Sequence, residues 1–342
     1  MSTTDTELID VAVVGARLAE ATGEEAWRDF SASLIAGGKS NLTFDLRSAA
    51  GEMILRRPPT GKLLPSAHDM AREAKIQRAL ADSTVPVAPI VLLDESGDDI
   101  GVPYYVMEKV DGLVIRDALP EGYAESGEQK TAMADALAST LAEIHSVDPD
   151  AVGLGELGKR SGYLERQLRR WLGQSEKSAE QFADPNMRTL HDSLAASMPA
   201  EQAVRITHGD FRMDNSIFAR EDPGTIRAVL DWELSTLGDP SADLALSLLY
   251  WGDPQWPEIP LVPGITRGAG WPGADHFAQR YAERTGTEID HLDWYLAFSV
   301  FKFAAIAQGV GTRAAAGDMA GQAFGDFAEQ LHELVDLGRS FL

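Results

Sequence analysis

The hydrophobic pattern of the sequence changes close to Gly112, and this change restricts the possible fold more than any other feature. Up to that point, four short runs have the composition of β-strands: NLTFDLRS, EMILRRP, APIVLLD and PYYVMEKV. Beyond it, apolar residues recur mostly at the three- and four-residue spacing of helices. The sequence therefore predicts an α+β protein with a small β-rich first half and a larger, mostly helical second half.

The two halves are predicted to form separate lobes, an N-lobe over 1–110 and a C-lobe over 111–342, since 342 residues suffice for two hydrophobic cores. In the N-lobe we expect a five-stranded sheet, one helix over 66–81 and short helices over 7–29. In the C-lobe, two short strands are expected to flank the stretch 215–230. The periodicity there predicts helices over 128–147, 163–172, 186–198, 241–251, 274–285, 291–316 and 320–339.

Charge and composition argue against several classes of protein. The formal net charge is −23 at pH 7, whereas nucleic acids and anionic membrane surfaces are bound by basic patches. No apolar run approaches the roughly 20 residues that span a bilayer, and the N-terminus lacks the basic start and apolar core of a signal peptide. Because the chain also has no cysteine, we expect a cytoplasmic protein, a monomer or a homodimer, that binds neither nucleic acid nor membrane.

The stretch LIAGGKSNLT at 34–43 contains Gly-Gly-Lys-Ser, which is typical of the end of a P-loop. A P-loop would need a glycine at the position of Ser33 and a helix after the motif. The pattern that follows is instead that of a strand. We therefore reject the P-loop, and two interpretations remain: a plain glycine turn, or a glycine-rich hairpin whose backbone N–H groups lie over phosphates.

The strongest chemical pattern is THGDFRMDNSIF at 207–218, followed by AVLDWELSTLGDPSADLA at 228–245. Asp210 and, five residues later, Asn215 place a carboxylate and an amide on one tight loop. In phosphoryl transfer, the carboxylate can accept the proton of an attacking hydroxyl, and the amide oxygen can hold a hard cation. Asp231 follows an apolar run and can coordinate the same metal, because Mg²⁺ takes oxygen ligands.

Together these motifs resemble the aminoglycoside phosphotransferase family, whose fold is like that of protein kinases. The likeness is strongest to the subgroup that also occurs as the kinase-like domain fused to certain acyl-CoA dehydrogenases, and it covers almost the whole chain. The resemblance implies a two-lobed protein-kinase-like fold and an enzyme that uses ATP and Mg²⁺ to phosphorylate a hydroxyl group of a small molecule. It also implies the roles of five residues: Asp210 as catalytic base, Asn215 and Asp231 as Mg²⁺ ligands, and His208 and Asp243 as braces of the catalytic loop.

The same resemblance implies where adenine binds. The segment YYVMEKVDG is similar to the kinase strand and hinge between the lobes. Adenine is therefore expected to pair with the Glu108 carbonyl and the Val110 N–H, with Met107 at the back of the pocket.

A buried ion pair is expected at the phosphates. Glu73 shares a helix face with apolar residues, so its charge needs a buried cationic partner. The strand EMILRRP offers Arg56 or Arg57. By resemblance, Arg56 takes the position of the lysine that most of the family uses to hold the α- and β-phosphates. This departure is common in the dehydrogenase-linked subgroup.

The resemblance also favours the hairpin interpretation of the glycine stretch, with its backbone closed over the ATP phosphates. Lys39 and Lys62 are further candidates for phosphate contact. The contacts predicted in this cover are Gly37, Gly38, Ser40 and Asn41, of which the last two are expected at its tip.

The acceptor is expected near Asp210, under the segment DPQWPEIPLVPGITRGAGWP at 253–272. Two acceptors remain open: a hydroxyacyl compound, which the dehydrogenase-linked likeness favours slightly, and an aminoglycoside. The rival hypothesis is a nucleotide-binding pseudokinase with a regulatory or scaffolding role. Arg56 keeps that hypothesis open, while the intact Asp210, Asn215 and Asp231 argue against it.

Other chemistries have little support in the sequence. His-Glu-x-x-His and Gly-x-Ser-x-Gly are absent, and no Gly-x-Gly-x-x-Gly follows a predicted strand, which argues against zinc hydrolases, serine esterases and dinucleotide enzymes. Apart from His208, the histidines are predicted to be surface or capping residues: His68, His145, His191, His276, His291 and His332.

Overall fold

The computed structural model describes residues 8–35, 41–60, 69–178, 180–201, 203–259, 261–262, 264–315 and 327–342. Some residues named above therefore lie outside the described residues: Gly37, Gly38, Lys39, Ser40, Lys62 and His68. The chain divides into an N-terminal unit, Met1–Gly112 with Arg227–Leu234, and a C-terminal unit, Leu113–Ile226 with Ser235–Leu342. The stretch Arg227–Leu234 thus belongs with the N-terminal residues, although the sequence places it inside the predicted C-lobe.

The N-terminal unit contains an antiparallel sheet of five strands. The elements of this unit are α1 (Val11–Thr22), a 3₁₀ turn (Glu25–Arg28), β1 (Ser31–Leu34), β2 (Leu42–Ser48), β3 (Gly51–Arg57), α2 (Met70–Leu80), β4 (Ile90–Asp94) and β5 (Tyr104–Glu108). The strands lie in the order β1-β2-β3-β5-β4 across the sheet. The strand that follows LIAGGKS, β2, agrees with the rejection of a P-loop, which would continue into a helix.

Alternation along the strands distributes the side chains over the two faces of the sheet. One face packs against α1 in a cluster that includes Val14, Leu18, Phe44, Leu55 and Val106. The opposite face packs against α2 in a second cluster that includes Ile54, Met70, Ala74, Tyr105 and Met107.

The same alternation separates the two candidate arginines of β3. Arg56 shares the face of Ile54, and its guanidinium forms an ion pair with Glu73 of α2. Arg57 lies on the opposite face and donates a hydrogen bond to the Leu8 carbonyl. The geometry of the strand thus selects Arg56 as the partner of Glu73.

Two contacts attach the segment Arg227–Leu234 to the rest of the N-terminal unit and fix its shape. The Val229 N–H donates to the Pro86 carbonyl at 2.8 Å. The indole of Trp232 is fully buried, and its N–H donates to the Val229 carbonyl at 3.1 Å. Asp231, between these two anchored residues, is therefore held in place by its neighbours.

From Leu113 onward the chain is mostly helical. The elements are α3 (Gly127–Ser146), α4 (Tyr163–Ser175), α5 (Met187–Ala196), β6 (Arg205–Thr207), β7 (Ser216–Phe218), β8 (Ile226–Val229), β9 (Thr236–Gly238), α6 (Pro240–Trp251), α7 (Ala274–Thr285), α8 (Leu292–Ala315) and α9 (Phe327–Ser340). Strands β6 and β9 form a short antiparallel pair. His208 follows β6 directly, and Asp243 lies in the first turn of α6, which follows β9.

These elements confirm the predicted α+β fold class, with a small antiparallel sheet in one unit and a larger helical part in the other. The predicted helices are found with their ends shifted by a few residues, and residues 320–326 of the last one lie outside the described residues. Helix α8 is buried along most of its length, as its apolar sequence predicts. Within the described ranges, every helix is too short or too polar to cross a membrane.

Candidate active site

The loop after β6 holds the predicted catalytic base. Gly209 has a φ of 85°, in the left-handed region that glycine adopts without steric cost. The next N–H, that of Asp210, donates to Nδ1 of the buried His208 at 3.3 Å. His208 thus braces the loop from within, and its ring does not face solvent.

Asp243 of α6 fixes the same loop from the other side. Its two carboxylate oxygens accept the N–H of His208 at 2.7 Å and the N–H of Gly209 at 2.8 Å. Nε2 of His145 lies 3.1 Å from Oδ2 of Asp243, and Nδ1 of His145 lies 2.7 Å from the Tyr281 hydroxyl. Although burial works to raise it, the hydrogen bonds from His145 and the backbone hold the pKa of Asp243 below its usual value.

We expect Asp243→Asn to lower the free energy of unfolding by about 2 to 3 kcal/mol, because an amide cannot accept hydrogen bonds on both of its polar atoms and leaves a buried N–H unpaired. Urea denaturation measures this loss. Asp10→Asn is the control: Asp10 is exposed and caps α1 through one oxygen, Oδ1, which accepts the N–H groups of Ala12 and Val13 at 3.1 Å, and asparagine caps helices equally well. Equal losses in the two variants would contradict the assigned role of Asp243.

Asn215 contacts Asp210 directly. Its Nδ2 donates to the Asp210 carbonyl at 2.8 Å and to Oδ2 of the Asp210 carboxylate at 3.0 Å. The short 3₁₀ turn Met213–Asn215 brings the two residues together. The Asn215 side chain therefore orients the Asp210 carboxylate through its Nδ2, and its amide oxygen takes no part in this contact.

Arg56 lies at the centre of a buried group of charges in the N-terminal unit. Its Nη1 is 3.1 Å from Oε2 of Glu73, and its Nη2 is 3.1 Å from Oδ1 of Asp231. Glu73 is fully buried and also accepts a hydrogen bond from the Tyr105 hydroxyl at 2.9 Å. Burial raises the pKa of Glu73 to about 7, and the attraction of Arg56 works against this rise.

Asn41 belongs to the same group, which corrects the prediction that it lies at the tip of the glycine hairpin. The residue is buried, and its Nδ2 donates to Oε1 of Glu73 at 2.9 Å and to Oε2 of Glu233 at 3.4 Å. The physical reason is that a buried carboxylate needs hydrogen-bond donors, and the amide supplies one. A contact of Asn41 with the nucleotide stays a prediction.

Asp231 has a left-handed backbone conformation, with a φ of 64°. Aspartate is among the few non-glycine residues that adopt this region, and such conformations are concentrated at functional sites. One oxygen each of Glu73, Asp231 and Glu233 lie within 4.8 Å of one another, close enough for a metal ion. The Arg56 guanidinium pairs with two of these three carboxylates.

The residues predicted to contact adenine come at the end of β5. Met107 is buried against α2, and Val110 packs against the same cluster. Glu108 ends the strand, and its N–H donates to the Pro89 carbonyl at 2.9 Å. Their contacts with a nucleotide stay predictions.

A recess lies beside the loop after β6 in the C-terminal unit. The predicted acceptor segment 253–272 and that loop both contribute to its wall. Arg212 and Asp214 form an ion pair there, so their charges largely offset each other. The remaining lining is mostly apolar or aromatic and includes Ile115, Leu137, Phe211, Met213, Trp251, Val262, Ile265 and Phe277.

Two residues near the loop were not singled out by the sequence as part of the site. The surface prediction for His145 is wrong, because Asp243 requires a buried partner and His145 supplies it. Tyr250 donates a hydrogen bond from its hydroxyl to the Asp210 carboxylate, and the Arg212 guanidinium lies 5.3 Å from the centre of its ring. The only sequence signal for Tyr250 is its place at the end of the apolar helix that follows the second motif.

Comparison with known proteins shows similarity to phosphotransferases and to acyl-CoA dehydrogenase family proteins. A model of the phosphotransferase enzyme family matches residues 31–277. Acyl-CoA dehydrogenase family member 10 of Mus musculus is 39% identical over 305 residues, which cover 87% of this chain and 28% of that protein. The chain therefore spans less than a third of the length of that relative.

Solved structures show the same likeness. A putative aminoglycoside phosphotransferase from Ralstonia eutropha superimposes with a TM-score of 0.79 and 32% identity, covering 96% of this chain and 97% of the other. A thermostable mutant of an aminoglycoside phosphotransferase, in ternary complex with AMP-PNP and hygromycin B, superimposes with a TM-score of 0.62 and 15% identity, covering 96% of this chain and 98% of the other. The second match shows the fold alone.

Proposed function

The chain belongs to the phosphotransferase enzyme family, and from this premise we propose that it transfers the terminal phosphoryl group of ATP to a hydroxyl group of a small molecule. The observation that carries the proposal is the catalytic loop. Asp243 fixes the backbone of this loop at Gly209, and the amide of Asn215 donates a hydrogen bond to the Asp210 carboxylate. Such a loop combines a proton acceptor with an oxygen ligand for a cation, which is what phosphoryl transfer requires.

Asp210 is the proposed proton acceptor. The oxygen of the acceptor hydroxyl forms a bond to the terminal phosphorus of ATP, and the bond from that phosphorus to the bridging oxygen breaks, so that ADP leaves. The proton of the hydroxyl passes to the Asp210 carboxylate. The hydrogen bonds from Asn215 and Tyr250 keep this carboxylate oriented while the proton moves.

The residues present fit Mg²⁺ and phosphate. Asn215 uses its Nδ2 for Asp210, and no described residue donates to its Oδ1, so that an amide oxygen is available. Asp231 pairs with Arg56 through Oδ1, so Oδ2 is the proposed ligand atom. Nε of Arg56 is buried without a hydrogen-bond partner among the described residues and can donate to a phosphate oxygen. When bound, Mg²⁺ neutralises negative charge on the phosphates.

The recess favours an acyl compound as the acceptor. An aminoglycoside carries several positive charges and calls for acidic groups, but the one acidic side chain among the described lining residues, Asp214, is paired with Arg212. The apolar lining instead suits a hydrocarbon chain, and Arg116 in the wall can face an anionic group. We therefore propose a hydroxyacyl compound as the acceptor.

Val262→Trp tests the recess as the acceptor site. The larger side chain fills part of the recess, so we expect the KM for the acceptor to rise about tenfold or more, which corresponds to about 1.4 kcal/mol of lost binding. The KM for ATP should stay within about twofold, because Val262 lines only the recess in the C-terminal unit. Steady-state kinetics with each substrate varied in turn measure both values. An unchanged acceptor KM would place the acceptor elsewhere.

The proposed function is tested by incubating the protein with ATP and Mg²⁺ and a panel of hydroxyacyl compounds and aminoglycosides. We expect mass spectrometry to find a product heavier by one phosphoryl group, formed from a hydroxyacyl compound, and to find none once EDTA has removed the metal. Product from the aminoglycosides alone would contradict the acceptor class. No product from a broader metabolite extract, despite ATP binding, would contradict the kinase.

One observation favours a second candidate, a nucleotide-binding pseudokinase. Arg56 already pairs with Asp231, the residue that a kinase of this type needs as a ligand for its metal. In a pseudokinase this ion pair would persist with the nucleotide bound. Calorimetric titration with ATP, with and without Mg²⁺, separates the two: equal affinities in both titrations support the pseudokinase, and tighter binding with Mg²⁺ supports the kinase.

A further inference from the structure

Helix α8 buries one charged side chain in the middle of an apolar stretch. Lys302 is 9% exposed, and the other charged residues of the described helix, Asp293 and Arg313, lie near its ends. Burying an ammonium group is unfavourable unless it gains compensating interactions. Burial lowers the pKa of Lys302, and the attraction of Asp243 and Asp210 opposes this shift. Packing alone would favour an apolar residue here, so the Lys302 ammonium needs an interaction that compensates its burial.

The hydrogen bond of Lys302 goes to the catalytic loop. Its Nζ donates to the Gly209 carbonyl at 3.2 Å and lies 5.9 Å from the centre of the Trp171 ring. Within the part of the chain that the structure describes, this ammonium has no direct carboxylate partner. The side chain thus crosses from the buried helix to a single backbone oxygen.

That oxygen belongs to the peptide that joins Gly209 to Asp210. On the other side of Gly209, its N–H is held by Oδ1 of Asp243 at 2.8 Å. Glycine has no side chain to anchor it, and its φ of 85° lies where its backbone moves with little steric resistance. Without Lys302, the Asp210 N–H of this peptide would still donate to His208, but the Gly209 carbonyl would lose its hydrogen bond from the ammonium.

We propose that Lys302 is a positioning residue for phosphoryl transfer. It fixes the Gly209–Asp210 peptide, and through it the direction of the Asp210 carboxylate. Asp243 accepts the Gly209 N–H and Lys302 donates to the Gly209 carbonyl, so that the peptide groups on both sides of Gly209 are fixed by hydrogen bonds. This inference rests on the proposed function, since the positioned group is the proposed base.

Lys302→Met tests the role of the ammonium, because methionine keeps the apolar stem and removes the charge. We expect kcat to fall about 10- to 100-fold, as small displacements of reacting groups cost up to about 100-fold, while the KM for ATP stays within about twofold. The melting temperature should change little, since replacing a buried charge by an apolar group offsets the loss of the hydrogen bond to the Gly209 carbonyl. Lys302→Arg, which keeps a cationic donor, should recover most of the lost kcat.

Gln308→Met is the matched control on the same helix. Gln308 is fully buried and accepts a hydrogen bond from the Ser175 hydroxyl at 2.6 Å, so that this variant also loses a buried contact between helices. It should keep the parent kcat. Equal falls of kcat in the Lys302→Met and Gln308→Met variants would overturn the proposal, as would a Lys302→Arg variant no more active than Lys302→Met.

Hydrogen exchange separates this inference from the proposed function. Mass spectrometry of the peptide that contains Gly209 and Asp210 should show faster amide exchange in Lys302→Met than in the parent and in Gln308→Met. Unchanged exchange would overturn the positioning role even in an active enzyme. A parent protein that transfers no phosphoryl group, but whose loop exchanges faster in Lys302→Met, would contradict the proposed function alone.

Discussion

Asp210→Asn is expected to lower kcat about 10³-fold, because general-base catalysis contributes typically 10²- to 10⁴-fold and an amide cannot take up the proton of the acceptor hydroxyl. Asparagine keeps the shape of the side chain, and its amide oxygen can still accept the hydrogen bond from Asn215. The affinity for ATP should therefore change by less than about twofold. Steady-state rates with ATP and the hydroxyl acceptor, together with calorimetric titration of ATP in the presence of Mg²⁺, measure the two quantities.

Asp222→Asn provides the control for this experiment. Asp222 lies in the same unit and closes a turn by accepting the Gly224 N–H at 3.0 Å and the Thr225 hydroxyl at 2.7 Å. The same change of chemical group there should leave kcat unaltered. If Asp210→Asn retains the parent kcat, Asp210 is not the base. If the parent and the variant both bind ATP and neither transfers a phosphoryl group, the pseudokinase hypothesis is supported instead.

Local periodicity predicts most of the fold because the elements are amphipathic or fully apolar. The sheet and α8 follow from it. The division into units does not, since Arg227–Leu234 is attached to the N-terminal residues through the Val229–Pro86 hydrogen bond and the buried Trp232. A contact between residues that lie far apart in sequence leaves no periodic signal near either of them.

In the candidate site, too, local sequence predicts some contacts, whereas those that depend on distant residues are not predicted. The choice between Arg56 and Arg57 follows from the alternation of β3 once one face is known to meet α2. The burial of Asn41 against Glu73 could not be predicted, because it depends on how a distant helix presents its carboxylate. A single lysine in an otherwise apolar helical stretch was the readable signal for Lys302, although its target, the Gly209 carbonyl, was not.

Arg56→Met is expected to lower the free energy of unfolding of the N-terminal unit by about 3 to 5 kcal/mol, the usual effect of removing one partner from a buried ion pair. Glu73 is fully buried, and without the guanidinium it must either keep an uncompensated charge beside Asp231 or take up a proton, both of which cost free energy. A glutamine at position 73 avoids this cost, so that Arg56→Met/Glu73→Gln should be at least about 1 kcal/mol more stable than Arg56→Met. Urea denaturation of the intact chain measures both variants.

Arg17→Met is the control, because Arg17 pairs with Asp99 at 3.4 Å while its side chain is 43% exposed, and pairs of this kind contribute less than about 1 kcal/mol. Arg56→Lys should fall between Arg56→Met and the parent. The two ion pairs of Arg56 use Nη1 and Nη2, and a lysine has only one nitrogen to share between Glu73 and Asp231. If Arg56→Met costs no more than Arg17→Met, the buried carboxylates do not depend on Arg56. The proposed contact of the guanidinium with phosphates, and not the stability of the fold, would then account for Arg56.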